Sequence, residues 1–314
     1  MLTVKKAVRY VLAGLAIICI NFFIPRAMPG DPVHYILGED IGVDSDQITE
    51  IKHELGLDLP LHRQFSRYLG RLARLDLGYS HTYHRQVSDI IGSRLRWTLL
   101  LAIPSILIGA IAGSIGGAVA GFYPSKPGSR FVTAAAMTLH SAPPFFLAIL
   151  LLYLFSFKLG WFPLKGYYST GGFLDIVSHV ALPTLVLSLF TSVRNLMIMR
   201  GSVLQERRRH YVTFYRAKGL SESKVLFCHV LPNASLPLLT MISLDFGFVL
   251  SGALFVEIVF SMNGMGTLIY DSVSTRDYPV LQGSFFVIAF MVLAANLLAD
   301  ILYGALDPQV RRAG

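Results

Sequence analysis

Tyr211–Pro237 reads YVTFYRAKGLSESKVLFCHVLPNASLP. It is too apolar for a solvated linker and too charged to cross a bilayer. Gly219 reads as a helix stop, because a glycine accepts the left-handed conformation that ends a helix. Ser221 follows as the N-cap of a second helix. Val225, Leu226, His229 and Val230 then fall on one face at helical spacing. The stretch therefore predicts helix, turn, helix, lying along a membrane surface and tethered at both ends by apolar runs.

Those runs extend outward from it in both directions. Upstream lies His179–Met199 and downstream Leu236–Phe260. Ala7–Pro25, Trp97–Tyr123, Phe131–Phe155 and Val280–Tyr303 complete a set of six. A hydrocarbon core of about 30 Å needs roughly 20 mostly apolar residues per helical crossing. The composition agrees: 54% of the 314 residues are hydrophobic and 15% charged, with a mean hydropathy of +0.57. A soluble chain carries about 25% charged residues. The expected architecture is all-α and polytopic. It comprises an N-terminal helix (1–27), an outer helical loop (28–96) and a five-helix core (97–314), with the connecting loop at 200–232.

Several local features refine the spans. Pro143 and Pro144 inside the third predict a kink or break. Pro104, Pro183 and Pro237 are read near the starts of their helices, where a missing N–H costs least. Gly109, Gly113, Gly116 and Gly117, with Ala110 and Ala112, form a small-residue surface for close helix packing. In the outer loop, Asp46–Leu55 reads as one amphipathic helix; Phe65, Tyr68, Leu69 and Leu72 mark a second.

The net charge of +8 has its simplest origin in topology. Fourteen Lys and Arg residues fall on the side of the N-terminus, Lys5, Arg130, Arg207, Arg208 and Arg209 among them. Three, Lys158, Lys165 and Arg276, fall in short loops on the other side. Cytoplasmic loops collect such charge, so both termini are expected in the cytoplasm. No basic stripe with interleaved aromatics is left over, and nucleic acid is not an expected partner. Cys19 and Cys228 fall in different compartments, which excludes a disulfide framework. Lys5, Lys6 and Arg9 precede an apolar stretch too long for a signal core, read as a retained helix.

Read together, these segments resemble a known family. A Gly followed at fixed spacing by Leu-Pro, here Gly219 and Leu231–Pro232, is similar to the coupling loop of ABC-importer permeases. Met28–Pro32 (MPGDP), Leu55–Phe65 (LGLDLPLHRQF), Leu75–Ser80 (LDLGYS), Arg216–Ser221 (RAKGLS), Arg276–Gly283 (RDYPVLQG) and Leu306–Arg311 (LDPQVR) narrow the resemblance. They point to the dipeptide, oligopeptide and nickel permeases of the first-subunit type. The sequence departs from the family pattern at Thr213, Phe214 and Tyr215, where many importers carry Glu-Ala-Ala, and at Asn263, where Pro is usual.

The resemblance implies a type I importer fold and a permease subunit that breaks no bond itself. It implies peptide import by alternating access, with nickel or a metal chelate as the alternative cargo. It also implies a second related permease, two ATP-binding subunits carrying ATP and Mg, an extracytoplasmic solute-binding protein and surrounding lipid. No G-x-x-x-x-G-K-[ST] loop occurs in the chain, so it supplies no nucleotide cofactor site of its own. Contact with the ATPases would fall on Tyr215, Arg216, Ala217, Lys218, Gly219, Leu220, Ser221, Leu231 and Pro232.

Ionisable residues within spans are costly and usually face a cavity or a partner. Asp245 either lines the pathway with Arg194 or is paired within the bundle by Arg194 or Asn296. Glu257, Asn296 and Asp300 are expected to orient helices. Histidines 34, 53, 62, 81 and 84 are scattered and assign no metal site. An ion-coupled secondary transporter would show inverted repeats and interrupted helix pairs, and an intramembrane enzyme would need a catalytic pair within the spans. Neither pattern is present in the sequence.

Overall fold

The computed structural model describes residues 4–27, 58–80 and 82–306. Met28–Pro32, the Asp46–Leu55 segment, His34, His53, His81 and all of Leu306–Arg311 beyond Leu306 lie outside the described residues. Helix α1 spans Val4–Ala27 and α2 Leu61–Ala73; a two-stranded antiparallel ribbon follows, β1 Tyr79–Ser80 with β2 Arg85–Gln86. Then come α3 (Val87–Phe122), α4 (Pro127–Ser141), α5 (Pro144–Leu151, extended by a π-helical stretch Leu152–Lys158) and α6 (Phe173–Glu206). The connection carries α7 (His210–Ala217), α8 (Glu222–Lys224), a π-helical stretch Val225–Val230 and α9 (Leu231–Ala234). The chain ends in α10 (Leu236–Val259), α11 (Met265–Ser274) and α12 (Tyr278–Leu306).

Among the described residues, α3, α6 and Tyr278–Leu298 of α12 are long and apolar enough to cross a bilayer. The pair α4 and α5 meets the same criterion together, bent by 105°. The bend has a sequence cause. A residue before proline is pushed to extended backbone, and here Ala142 (ψ 134°) and Pro143 (ψ 139°) are both extended. Pro144 then opens the next helix, where its missing N–H is harmless.

Two of the proline placements differ from expectation. α3 begins at Val87 and α6 at Phe173, well before the apolar runs, so Pro104 and Pro183 sit inside their helices. Pro237 does lie in the first turn of α10.

The chain divides into two compact units. One contains Thr98–Asn263 and the chain from Val292 onward. In it, α3 lies on α6 along a stripe of glycines at four-residue spacing. A Cβ on Gly113 would stand 2.5 Å from the carbonyl oxygen of Ser192, and one on Gly121 2.6 Å from that of Arg200. On Gly117 it would meet Met199 Cβ at 2.9 Å. The expected small-residue surface is therefore the seat of α6, with Gly121 in place of Gly116 on the tightest line. Gly116 faces only Leu196 Cδ1, at 3.2 Å.

The other unit contains Val4–Trp97 and Gly264–Met291. Its core gathers Val87, Ile90, Ile91, Met265, Leu268 and Val280. The expected second amphipathic helix is α2, whose Phe65 and Tyr68 pack on Phe22 of α1 at 5.0 and 5.7 Å between ring centroids. Asn21, buried beside Phe22, donates to the Gln282 carbonyl at 2.8 Å and to the Tyr68 hydroxyl at 3.2 Å. Asp277 accepts from Ser80 Oγ and from the Val280 backbone N–H, which fixes the ribbon to the start of α12.

Candidate functional site

The turn between α7 and α8 is built as the sequence requires. The Gly219 N–H donates to the Arg216 carbonyl at 2.9 Å and the Leu220 N–H to the Tyr215 carbonyl at 3.3 Å. This crossed pair is the Schellman closure of a helix, which needs a left-handed residue, and Gly219 has φ +79°. Ser221 occupies the extended N-cap position of α8, although its side chain makes no capping bond.

One face of the connection is buried. Val212, Val225, Leu226, Val230 and Ala234 form a cluster with Phe122, Met199 and Val203. The face read from sequence is this one, and His229 joins it by stacking on Tyr215 at 3.7 Å. Tyr215, Leu220 and Leu231 are half-buried against the same cluster. Ala217, Lys218, Gly219, Ser221 and Pro232 are exposed. So is Phe214, at 56%, with Lys218 Nζ 4.5 Å from its ring centroid.

Arg216 is exposed but engaged. Its Nε and Nη2 donate to both carboxylate oxygens of Glu222 at 2.8 and 2.9 Å, a fork across the Gly219 turn. Tyr211 donates its hydroxyl to Glu206 at 2.7 Å. Burial and that bond to Glu206 push the phenol up to about 12, against a smaller opposing effect of Asn233.

A second cluster lies between α6 and α10. Asp245 has no exposed surface. Arg194 Nη2 donates to its Oδ1, and Asn195 Nδ2 to its Oδ2 at 2.8 Å. The Arg194 side chain keeps 21% exposure. The two residues expected on the pathway are thus brought together, and the amide that joins them is Asn195 rather than Asn296. Further along α10, the fully buried Glu257 accepts from Thr98 of α3 at 2.6 Å. Asn296 and Asp300 sit half-buried on α12. Sequence reading missed Asn195, Thr98, Glu222 and Phe122. Only Glu222 carried a signal, an acid placed across a glycine turn from a base.

Comparison with known proteins gives a consistent result. Residues 105–312 match the family described as "Binding-protein-dependent transport system inner membrane component", and residues 1–102 match its N-terminal companion. A di/tripeptide transport system permease protein, DppB, of Pseudomonas aeruginosa is 35% identical over 93% of both chains. A glutathione transport system permease protein, GsiC, of Escherichia coli K12 is 36% identical over 92% of both. A chain of the inward-facing MetNI methionine ABC transporter superposes with a TM-score of 0.58. It is 14% identical and covers 70% of this chain and 97% of that one. That likeness shows a shared fold.

Proposed function

Because this chain belongs to the binding-protein-dependent transport system inner membrane components, we propose that it is one of two permease subunits of an ATP-driven peptide importer. The observation that carries the reading is the exposed turn Phe214–Ser221, stiffened by its closure at Gly219 and seated on a buried cluster. An importer has to deliver force from a soluble motor to helices inside the bilayer. A short rigid element tethered by α6 and α10 can do so.

The partners in this reading are a second permease, two ATP-binding subunits and an external solute-binding protein. ATP and Mg belong to the ATP-binding subunits, and this chain breaks no bond. The docking face for the motor is Phe214, Ala217, Lys218, Gly219, Ser221 and Pro232. Tyr215, Leu220 and Leu231 anchor that face from behind.

Six crossings complete the topology, with both termini in the cytoplasm. α1 and α10 each run 24 residues, or about 36 Å at the α-helical rise, enough to join the four candidates above. Lipid surrounds the bundle. Arg194 borders the pathway, and Asp245 holds its guanidinium in place. Glu257, Asn296 and Asp300 orient α10 and α12.

Peptides are the proposed cargo, because relatives similar over nearly the whole chain are named for di/tripeptide and glutathione transport. Those names do not favour the nickel alternative. The test is ATP-dependent uptake by the assembled transporter in proteoliposomes, with its binding protein outside. Uptake of labelled di- or tripeptide or of glutathione is expected. Uptake of nickel alone, or uptake that persists without ATP, would overturn the reading.

A further inference from the structure

Phe122 is the last residue of α3, and two arginines of the later connection converge on it. Arg207 Nη1 donates to its carbonyl at 2.8 Å, one of the final helix carbonyls that lack an intrahelical donor. The Arg216 guanidinium carbon lies 5.4 Å from the centroid of its ring, within cation–π range. The ring is only 3% exposed and sits in the cluster with Met199, Val203, Val212 and Leu226. Glu222 holds Arg216 in that position by the two-pronged bond already described.

The covalent path makes this contact consequential. The turn is tethered through the chain to α6 and α10, but α3 is separated from it by α4 and α5. A displacement of the turn reaches α3 through side chains.

Resting on the reading of this turn as the coupling element, we propose that Arg216 is a positioning residue. It carries displacement of the Gly219 turn into α3 through Phe122 and does not contact the ATPase. Lysine cannot replace it, because only the planar fork reaches two carboxylate oxygens while presenting a face to an aromatic ring.

The test uses the full assembled transporter in lipid nanodiscs and proteoliposomes, with the variants Arg216→Ala, Arg216→Lys, Glu222→Gln and Phe122→Leu. Three quantities are read: ATPase subunits recovered per permease, ATP hydrolysed, and solute imported per ATP. For Arg216→Ala, Arg216→Lys and Glu222→Gln, recovery and hydrolysis are expected to stay at wild-type values. Import per ATP is expected to fall about tenfold, the loss of a coupling of ordinary size. Arg216→Ala combined with Phe122→Leu should import no less per ATP than Arg216→Ala alone. Loss of the ATPase subunits in Arg216→Ala, unchanged import per ATP, or independent losses in the double variant would overturn the proposal. Glu222→Gln releases Arg216 without touching the core, so the proposal stays testable if Phe122→Leu fails to assemble. A wild-type chain that recovers no ATPase subunit would instead overturn the coupling reading itself.

Discussion

Arg194 on α6 is paired with Asp245 on α10, and the carboxylate of that pair has no exposed surface. The two helices flank the connection that carries the exposed turn, so the pair ties together the two helices from which that connection is hung. Asp245 is not a free negative charge waiting for a cation. Its charge is already answered by Arg194 and by the amide of Asn195.

Removing one member of a buried ion pair strands the other, at a cost of about 3–5 kcal/mol. Arg194→Ala and Asp245→Ala should each sharply reduce the folded permease recovered in detergent. Replacing both by leucine should restore much of that recovery, since well-packed apolar residues can substitute for such a pair. Uptake by the recovered double variant then reads the pathway role. Loss of uptake is expected, and wild-type uptake would reject that role for Arg194.

The glycine stripe makes a graded prediction. Gly117→Ala places a methyl against Met199 Cβ and the backbone of α6, and overpacking of this kind costs about 1–3 kcal/mol. Gly116→Ala meets only the flexible end of Leu196 and should cost less. Gly128→Ala meets nothing within 4 Å and serves as the control. Thermal unfolding of the purified variants should rank them in that order. Equal midpoints for Gly117→Ala and Gly128→Ala would show that α3 and α6 are not in close contact.

Tyr211 gives a pH dependence with a definite sign. Its folded pKa of about 12 lies above the ordinary 10.0. The stabilisation from its bond to Glu206 is therefore complete below 10.0 and is lost as the pH rises through about 12. A single hydrogen bond contributes about 0.5–1.5 kcal/mol. Tyr211→Phe should thus be slightly less stable than wild type at neutral pH, with the difference shrinking only above pH 10.0. A difference that changes near neutrality would assign it to another group.

The sequence made some elements plain and hid others for physical reasons. Gly219, Ser221 and the apolar face from Val225 to Val230 announce the turn because backbone conformation and helical period are local properties. The break at Pro143 and Pro144 is equally local. The full length of α3 is not. Val87–Arg96 carries Asp89, Arg94 and Arg96, so a search for apolar runs starts the helix at Trp97 and misplaces Pro104 near its beginning. The same effect hides the first turns of α6 and misplaces Pro183. Partners across helices are least legible. Nothing in the spacing of Asn195, Thr98 or Phe122 says which distant residue each will meet, because that depends on how the helices pack. Residue type alone makes Asn296 a candidate partner for Asp245; Asn195 reaches it because it adjoins Arg194 on the helix facing α10.

The central claim is that a separate nucleotide-driven subunit grips the turn at Gly219. It is tested most directly by crosslinking from Ala217→Cys in the assembled transporter. Cys19 and Cys228, both exposed thiols in this chain, are first replaced by serine so that one reactive position remains. The expected result is a crosslink to a co-purifying ATP-binding subunit, with a yield that changes when ATP is added. Crosslinks that reach no such subunit, while the transporter still imports solute, would contradict it.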